Sequence, residues 1–151
     1  MNLQEFIREN GLQASLITVD ASTRTVEETC KVLRCSSEEI IKSIVVIDSS
    51  NMVYLVILQG NRKIKTSKLK KLLLVKDIKL ASPKEVKKHT GYSVGDVPPI
   101  SLGLPAILDE LVLNQQKVYG GGGELGQNLF MSVEELIDCT HPLIADISGS
   151  L

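Results

Sequence analysis

The chain has 151 residues, 43% of them apolar and 23% charged, with a formal net charge of −1. That length suits one domain, 1–151, with a buried core, and the composition is ordinary for a globular protein. Aromatic residues make up 3%, with no Trp, which argues against a nucleic-acid binder built on an aromatic stacking platform.

Leu3, Phe6 and Ile7 recur at helical spacing, and Gly11 offers a stop. SLITV, 15–19, reads as a strand. Thr25 with Glu28 has the pattern of a capping box, opening a helix to Leu33. Ser37 is placed to cap a short turn to Ile40. Two apolar runs follow, 43–48 and 52–58, joined by a polar turn that predicts a hairpin. A second helix spans 66–73, and DIKLA, 77–81, reads as a short strand. Ser82, Pro83 and Glu85 mark a strong helix start, with the end near His89. The stretch 105–114 reads as extended, and KVYGGGGE as a strand running into glycines. NLFMS is a strand, Ser132 caps a last helix to Asp138, and LIADI, 143–147, closes the chain. Short strands alternate irregularly with short helices, so a doubly wound parallel sheet is not expected. The expected fold is α/β of the α+β kind: a mixed, strongly curved or barrel-like sheet surrounded by short helices.

The longest apolar runs are strand-length, so no membrane span is expected. The N-terminus carries acidic residues and no signal-peptide core, so the expected location is cytoplasmic. Cys30, Cys35 and Cys139 are an odd number without CxxC spacing, which predicts reduced thiols with neither disulfide nor zinc. No dinucleotide or Walker-type phosphate motif is present, and no cofactor or metal is expected. The charge, however, is segregated. Residues 61–88 hold 11 of the 17 Lys and Arg against two acids, a footprint for a polyanion or a solvated lysine-rich helix.

Three features offer chemistry. HTGYSVGDVPPISLG, 89–103, is a stiff loop punctuated by glycine and proline. Gly120 to Gly123 form a run that suggests positive φ or a ligand close to the backbone. Lys42 is a charge at the entry of an apolar strand, either an edge guard or a cation at a pocket. His89 and His141 each lie near a helix end, where a capping role is usual. No Ser-His-Asp spacing stands out.

EEIIKSIVVI, LASPKEVKKHTGYSVGDVPPI, AILDE, KVYGGGGE and LFMSVEELIDCTHPLIADI, in this order over about 23–147, resemble the YbaK and prolyl-tRNA synthetase editing-domain family. The resemblance implies that family's fold and a trans-editing hydrolase that deacylates tRNA mischarged with a small amino acid of the Ala, Cys, Ser or Pro type. It also implies attack on the ester by water, in a backbone-walled pocket. The alternative is a non-catalytic module of the same fold that binds tRNA or a synthetase. By the resemblance, Lys42 is the essential lysine near the terminal adenosine of the acceptor end. Gly91, Tyr92, Gly95 and Pro98 belong to one pocket wall, and Gly121, Gly122 and Gly123 to the facing loop. Ile100 and Ser101 are the candidate size filter. Ser101 and Asp96 each stand where the family commonly has glycine. Lys63, Lys65, Lys68 and Lys71 are the expected tRNA contacts, and an aminoacyl-tRNA synthetase is a further candidate partner.

Overall fold

The structure is a computed structural model and describes residues 2–19 and 25–151. The resemblance begins at 23, so its first two positions lie outside the described residues. Helices α1 (Leu3–Glu9), α2 (Val26–Leu33), α4 (Pro83–Thr90) and α5 (Val133–Thr140) each start beneath a short polar side chain. Asn2, Thr25, Ser82 and Ser132 accept the N–H of Glu5, Glu28, Glu85 and Glu135 respectively. Helix α3 (Thr66–Leu73) starts at Lys65 without a side-chain cap.

The strands are β1 (Ser15–Thr18), β2 (Ile41–Asp48), β3 (Val53–Gln59), β4 (Arg62–Ile64), β5 (Ile78–Leu80), β6 (Ala106–Asp109), β7 (Lys117–Gly121), β8 (Gln127–Ser132), β9 (Leu143–Ala145) and β10 (Ser148–Ser150). They form a mixed five-stranded sheet in the order β5-β2-β3-β6-β9, an antiparallel sheet β1-β8-β7, and the pair β10-β4. Strand β2 runs antiparallel to β3 and β5, whereas β3-β6 and β6-β9 are parallel. A parallel bridge from Ile40 to Tyr119 joins the five-stranded sheet to the three-stranded one.

The hairpin β2–β3 turns at Asp48. Its carboxylate accepts the N–H groups of Ser50 and Met52 and the hydroxyl of Tyr54. Burial pushes the Asp48 carboxyl up, but these hydrogen bonds outweigh it and hold the group below its ordinary value.

Three local expectations need correction. The turn Ser37–Glu39 is capped by Ser36, not Ser37, because the Glu39 carboxylate accepts the Ser36 N–H at 3.0 Å. The stretch 105–114 is extended only through Asp109. Glu110–Asn114 coils into a 3₁₀ turn that puts Val112 in the core and leaves Leu113 out. Strands β4 and β10 were not expected, since a charged triplet and Ser-Gly-Ser carry no strand pattern; each is specified by the other.

Successive residues of the central strands point to opposite faces, and both faces are buried. Val45, Leu55, Ile57 and Leu108 face a core closed by Met131, Val118, Leu136 and Ile100. Val46, Val56, Leu58 and Ile107 face a smaller core closed by Leu69 of α3 and Ile147.

Candidate active site

Strand β5 pairs with β2 only along Val46–Asp48, so the outer edge of β2 from Ile41 to Ile44 has no strand neighbour among the described residues. A cavity of about 330 Å³ lies along that edge. Lys42 and Ser43 line one side; Val86 of α4, Val94, Gly95 and Val97 line another. A second cavity of about 300 Å³ adjoins it and shares Ile41, Val94, Gly95 and Gly121. It is also bounded by Thr29, Tyr119, Asp96, Glu124 and Asn128. The two chambers form one cleft between the β2 edge, the 94–97 loop and the glycine loop.

Lys42 is half-buried there and makes no ion pair among the described residues. Burial lowers its pKa from the ordinary lysine value. The Ser43 hydroxyl, beside it in the strand, is buried without a hydrogen-bond partner. No histidine or cysteine lines either chamber among the described residues.

The glycine run is not a loose loop. Gly120 and Gly121 belong to β7, and of the four only Gly123 has a positive φ, at 95°. A Cβ on Gly121 would strike the carbonyl of Val97, and one on Gly122 would lie 2.5 Å from the carbonyl of Gln127. These glycines let the protein's own backbone close on itself, pressing the 94–97 loop against β7. A hydrogen bond from the Gly123 N–H to the Asp96 carbonyl, 2.9 Å, fastens the two loops together. Gly95 has φ 91° and open space where a Cβ would be. There the left-handed backbone requires glycine, and no neighbour does.

Of the expected site residues, the structure brings Lys42, Gly95 and Gly121 together. Gly91 is the left-handed C-cap of α4 and lines neither chamber. Tyr92 lies behind the glycine loop, its ring against Gly123, on a separate cavity that Gly122 also lines. Pro98 is buried, away from the cleft. Ile100 is 1% exposed in the main core, and with Ser101 it lines a different cavity beside Phe6 and Cys139. These two are held away from the cleft because the chain turns inward at Val97, so the next residues go to the core.

The lysines divide similarly. Lys63 and Lys71 are exposed. The Lys65 stem lies across Gly149, and Lys68 is paired with Asp146 at 2.8 Å and donates to the Ser148 carbonyl. All four sit on β4 or around α3, over the smaller core. Helix α4, whose Val86 lines the cleft, carries the exposed Lys84, Lys87 and Lys88. Sequence reasoning held these three only within the basic stretch 61–88, without singling them out, and passed over Ser43, Glu124 and Asn128. A polar Asn inside the apolar strand NLFMS was the one signal for Asn128.

Residues 20–139 match the family model of the aminoacyl-tRNA editing domain. The proline–tRNA ligase of Desulfotalea psychrophila is 29% identical over 124 residues, covering 82% of this chain and 21% of that protein. That of Solidesulfovibrio magneticus is 36% identical over 98 residues, 64% of this chain and 17% of that protein. The chain thus matches about a fifth of the length of such relatives. Among solved structures, a hypothetical protein superimposes with TM-score 0.90 at 36% identity, covering 97% of this chain and 99% of that one. A candidate trans-editing enzyme for prolyl-tRNA synthetase does so with TM-score 0.90 at 28% identity, covering 98% and 95%. With the cleft, the mixed sheet and these likenesses together, the chain belongs to the aminoacyl-tRNA editing domain family.

Proposed function

We propose that this protein hydrolyses the ester joining a small amino acid to the 3′ end of a mischarged tRNA, acting in trans as a single domain. The observation that carries this reading is Lys42: a half-buried cation, without an ion-pair partner among the described residues, on an open strand edge in a cleft walled by stiff backbone. Such a group suits the anionic, nucleotide end of the substrate. The apolar walls from Val86, Val94 and Val97 suit the flat terminal base. The smaller chamber then takes the aminoacyl group.

In the reaction, a water adds to the ester carbonyl. The bond from the acyl carbon to the ribose oxygen breaks, and that oxygen leaves with a proton as a hydroxyl. Among the described residues the cleft lacks a histidine or cysteine nucleophile, which favours a water positioned by the substrate's own ribose hydroxyl. Preorganised donors at the developing oxyanion contribute about 3 kcal/mol each in such a site. The size filter, with Ile100 and Ser101 elsewhere, falls to Thr29 and Tyr119, which bound the smaller chamber. The basic face that meets the tRNA backbone includes α4.

The test is deacylation over a panel of charged tRNAs, with and without prolyl-tRNA synthetase. Turnover of one small aminoacyl ester is expected. Saturable binding without turnover of any ester would replace the hydrolase with a binding module. Fast hydrolysis of large aromatic esters alone would refute the small-substrate assignment.

A further inference from the structure

The smaller chamber holds two carboxylates and an amide with no use in the fold. Asp96 and Glu124 both line it, and the Gly123–Asp96 backbone bond holds their loops side by side. Asn128, 8% exposed, lines the same chamber with its Nδ2 unpartnered. Burying a donor without a partner costs stability, so such a group points to a ligand acceptor. Two carboxylates in one pocket point to a ligand cation.

We infer that Asp96 and Glu124 together bind the α-ammonium group of the aminoacyl ester, while Asn128 donates to its acyl oxygen. This rests on the reading of the cleft as an aminoacyl-ester site. The lining suits the ligand: an aminoacyl group carries its cation one carbon from the carbonyl, and one chamber presents acceptors and a donor together. Burial, and then the charge of Glu124, push the Asp96 carboxyl up, with Lys87 opposing. A bound ammonium is an opposite charge that favours the ionised carboxylate and so offsets both effects.

The test uses two size-matched, non-hydrolysable probes, 3′-alanylamino- and 3′-lactylamino-3′-deoxyadenosine. They differ only in ammonium against hydroxyl. Calorimetry on the whole chain should show the alanyl probe binding about ten- to a hundredfold more tightly, the range of a hydrogen bond to a charged group. Asp96→Asn and Glu124→Gln should each shrink that ratio, and the double variant should bring it near one. Asn128→Ala should weaken both probes alike. No preference in the wild type, or equal loss of both probes in Asp96→Asn and Glu124→Gln, would overturn the inference. Melting curves of the same variants separate misfolding from weakened ligand recognition. Retained amine preference without hydrolysis of any aminoacyl-tRNA would remove the hydrolase reading and leave this contact in place.

Discussion

At Lys42, charge and burial conflict, which is the basis of its proposed role. Its charge gains no ion-pair partner among the described residues, and burial works against it. Lys42→Ala should therefore slow deacylation by about a hundredfold or more, the scale of removing one electrostatic interaction from a site closed to water, while the melting temperature stays or rises. Lys42→Arg should restore little, because a planar fork does not replace a compact ammonium. Near-normal rates for both variants would leave Lys42 as an edge guard. Ser101 presents the opposite case. Its φ is 74° and its hydroxyl is buried without a partner, in a cavity apart from the cleft. Both features cost stability. Ser101→Gly should raise stability by about 1 kcal/mol in denaturant melts, with deacylation unchanged.

Among the elements, α4 joins a capping device to the cleft wall. Glu85 accepts the Ser82 N–H and meets Lys79 at 3.1 Å. The Ser82 hydrogen bonds, and then Lys79, hold its carboxyl down from 4.5 to about 2. A depressed carboxylate contributes stability that is complete above its unfolded pKa and lost as pH falls through the folded one. Acid titration by circular dichroism should therefore show α4 keeping this contribution down to about pH 4.5 and losing it towards pH 2. Glu85→Gln should flatten that window.

The same helix separates two ideas of the basic face. Lys68 is engaged by Asp146, whereas Lys84, Lys87 and Lys88 are exposed on a helix that borders the cleft. Reversing Lys87 and Lys88 should weaken tRNA binding and reduce the log–log salt slope by about one unit for each phosphate no longer neutralised. Reversing Lys68 should have a smaller effect on binding and break an exposed pair worth about 0–1 kcal/mol. Filter binding across a salt series compares the two directly.

For the molecule as a whole, Asp109 is the clamp between sheets. It is fully buried at the end of β6, accepting the Ile147 N–H at 3.0 Å and the Ser148 hydroxyl at 2.8 Å. Ser148 Oγ in turn accepts from Arg62 Nε at 2.8 Å, so this carboxylate ties the pair β4–β10 to the end of β6. Asp109→Ala would leave both buried donors short of an acceptor and should cost about 3 kcal/mol or more in chemical denaturation.

Local signals were legible in the sequence where they are complete within a few residues. Ser82 with Glu85 and Thr25 with Glu28 start helices because cap and partner lie three apart. The two apolar runs 43–48 and 52–58 predict the hairpin because the polar turn between them is equally local. The strand lysine and two glycine loops, in order, carried the family resemblance. What needed the tertiary structure is whatever depends on which segment lies opposite. Strands β4 and β10 exist through each other. Gly121 is glycine because the Val97 carbonyl presses on it, from 24 positions away in the chain. Ile100 goes to the core and Gly95 to the cleft, with Val97 buried between them as part of both, though all belong to one loop, because the fold turns the chain inward there. Asp96, Glu124 and Asn128 come from two loops and a strand, and no spacing rule links them. Sequence determines local backbone through interactions within a few residues; a site assembled from distant segments is decided only when the sheets bring those segments together.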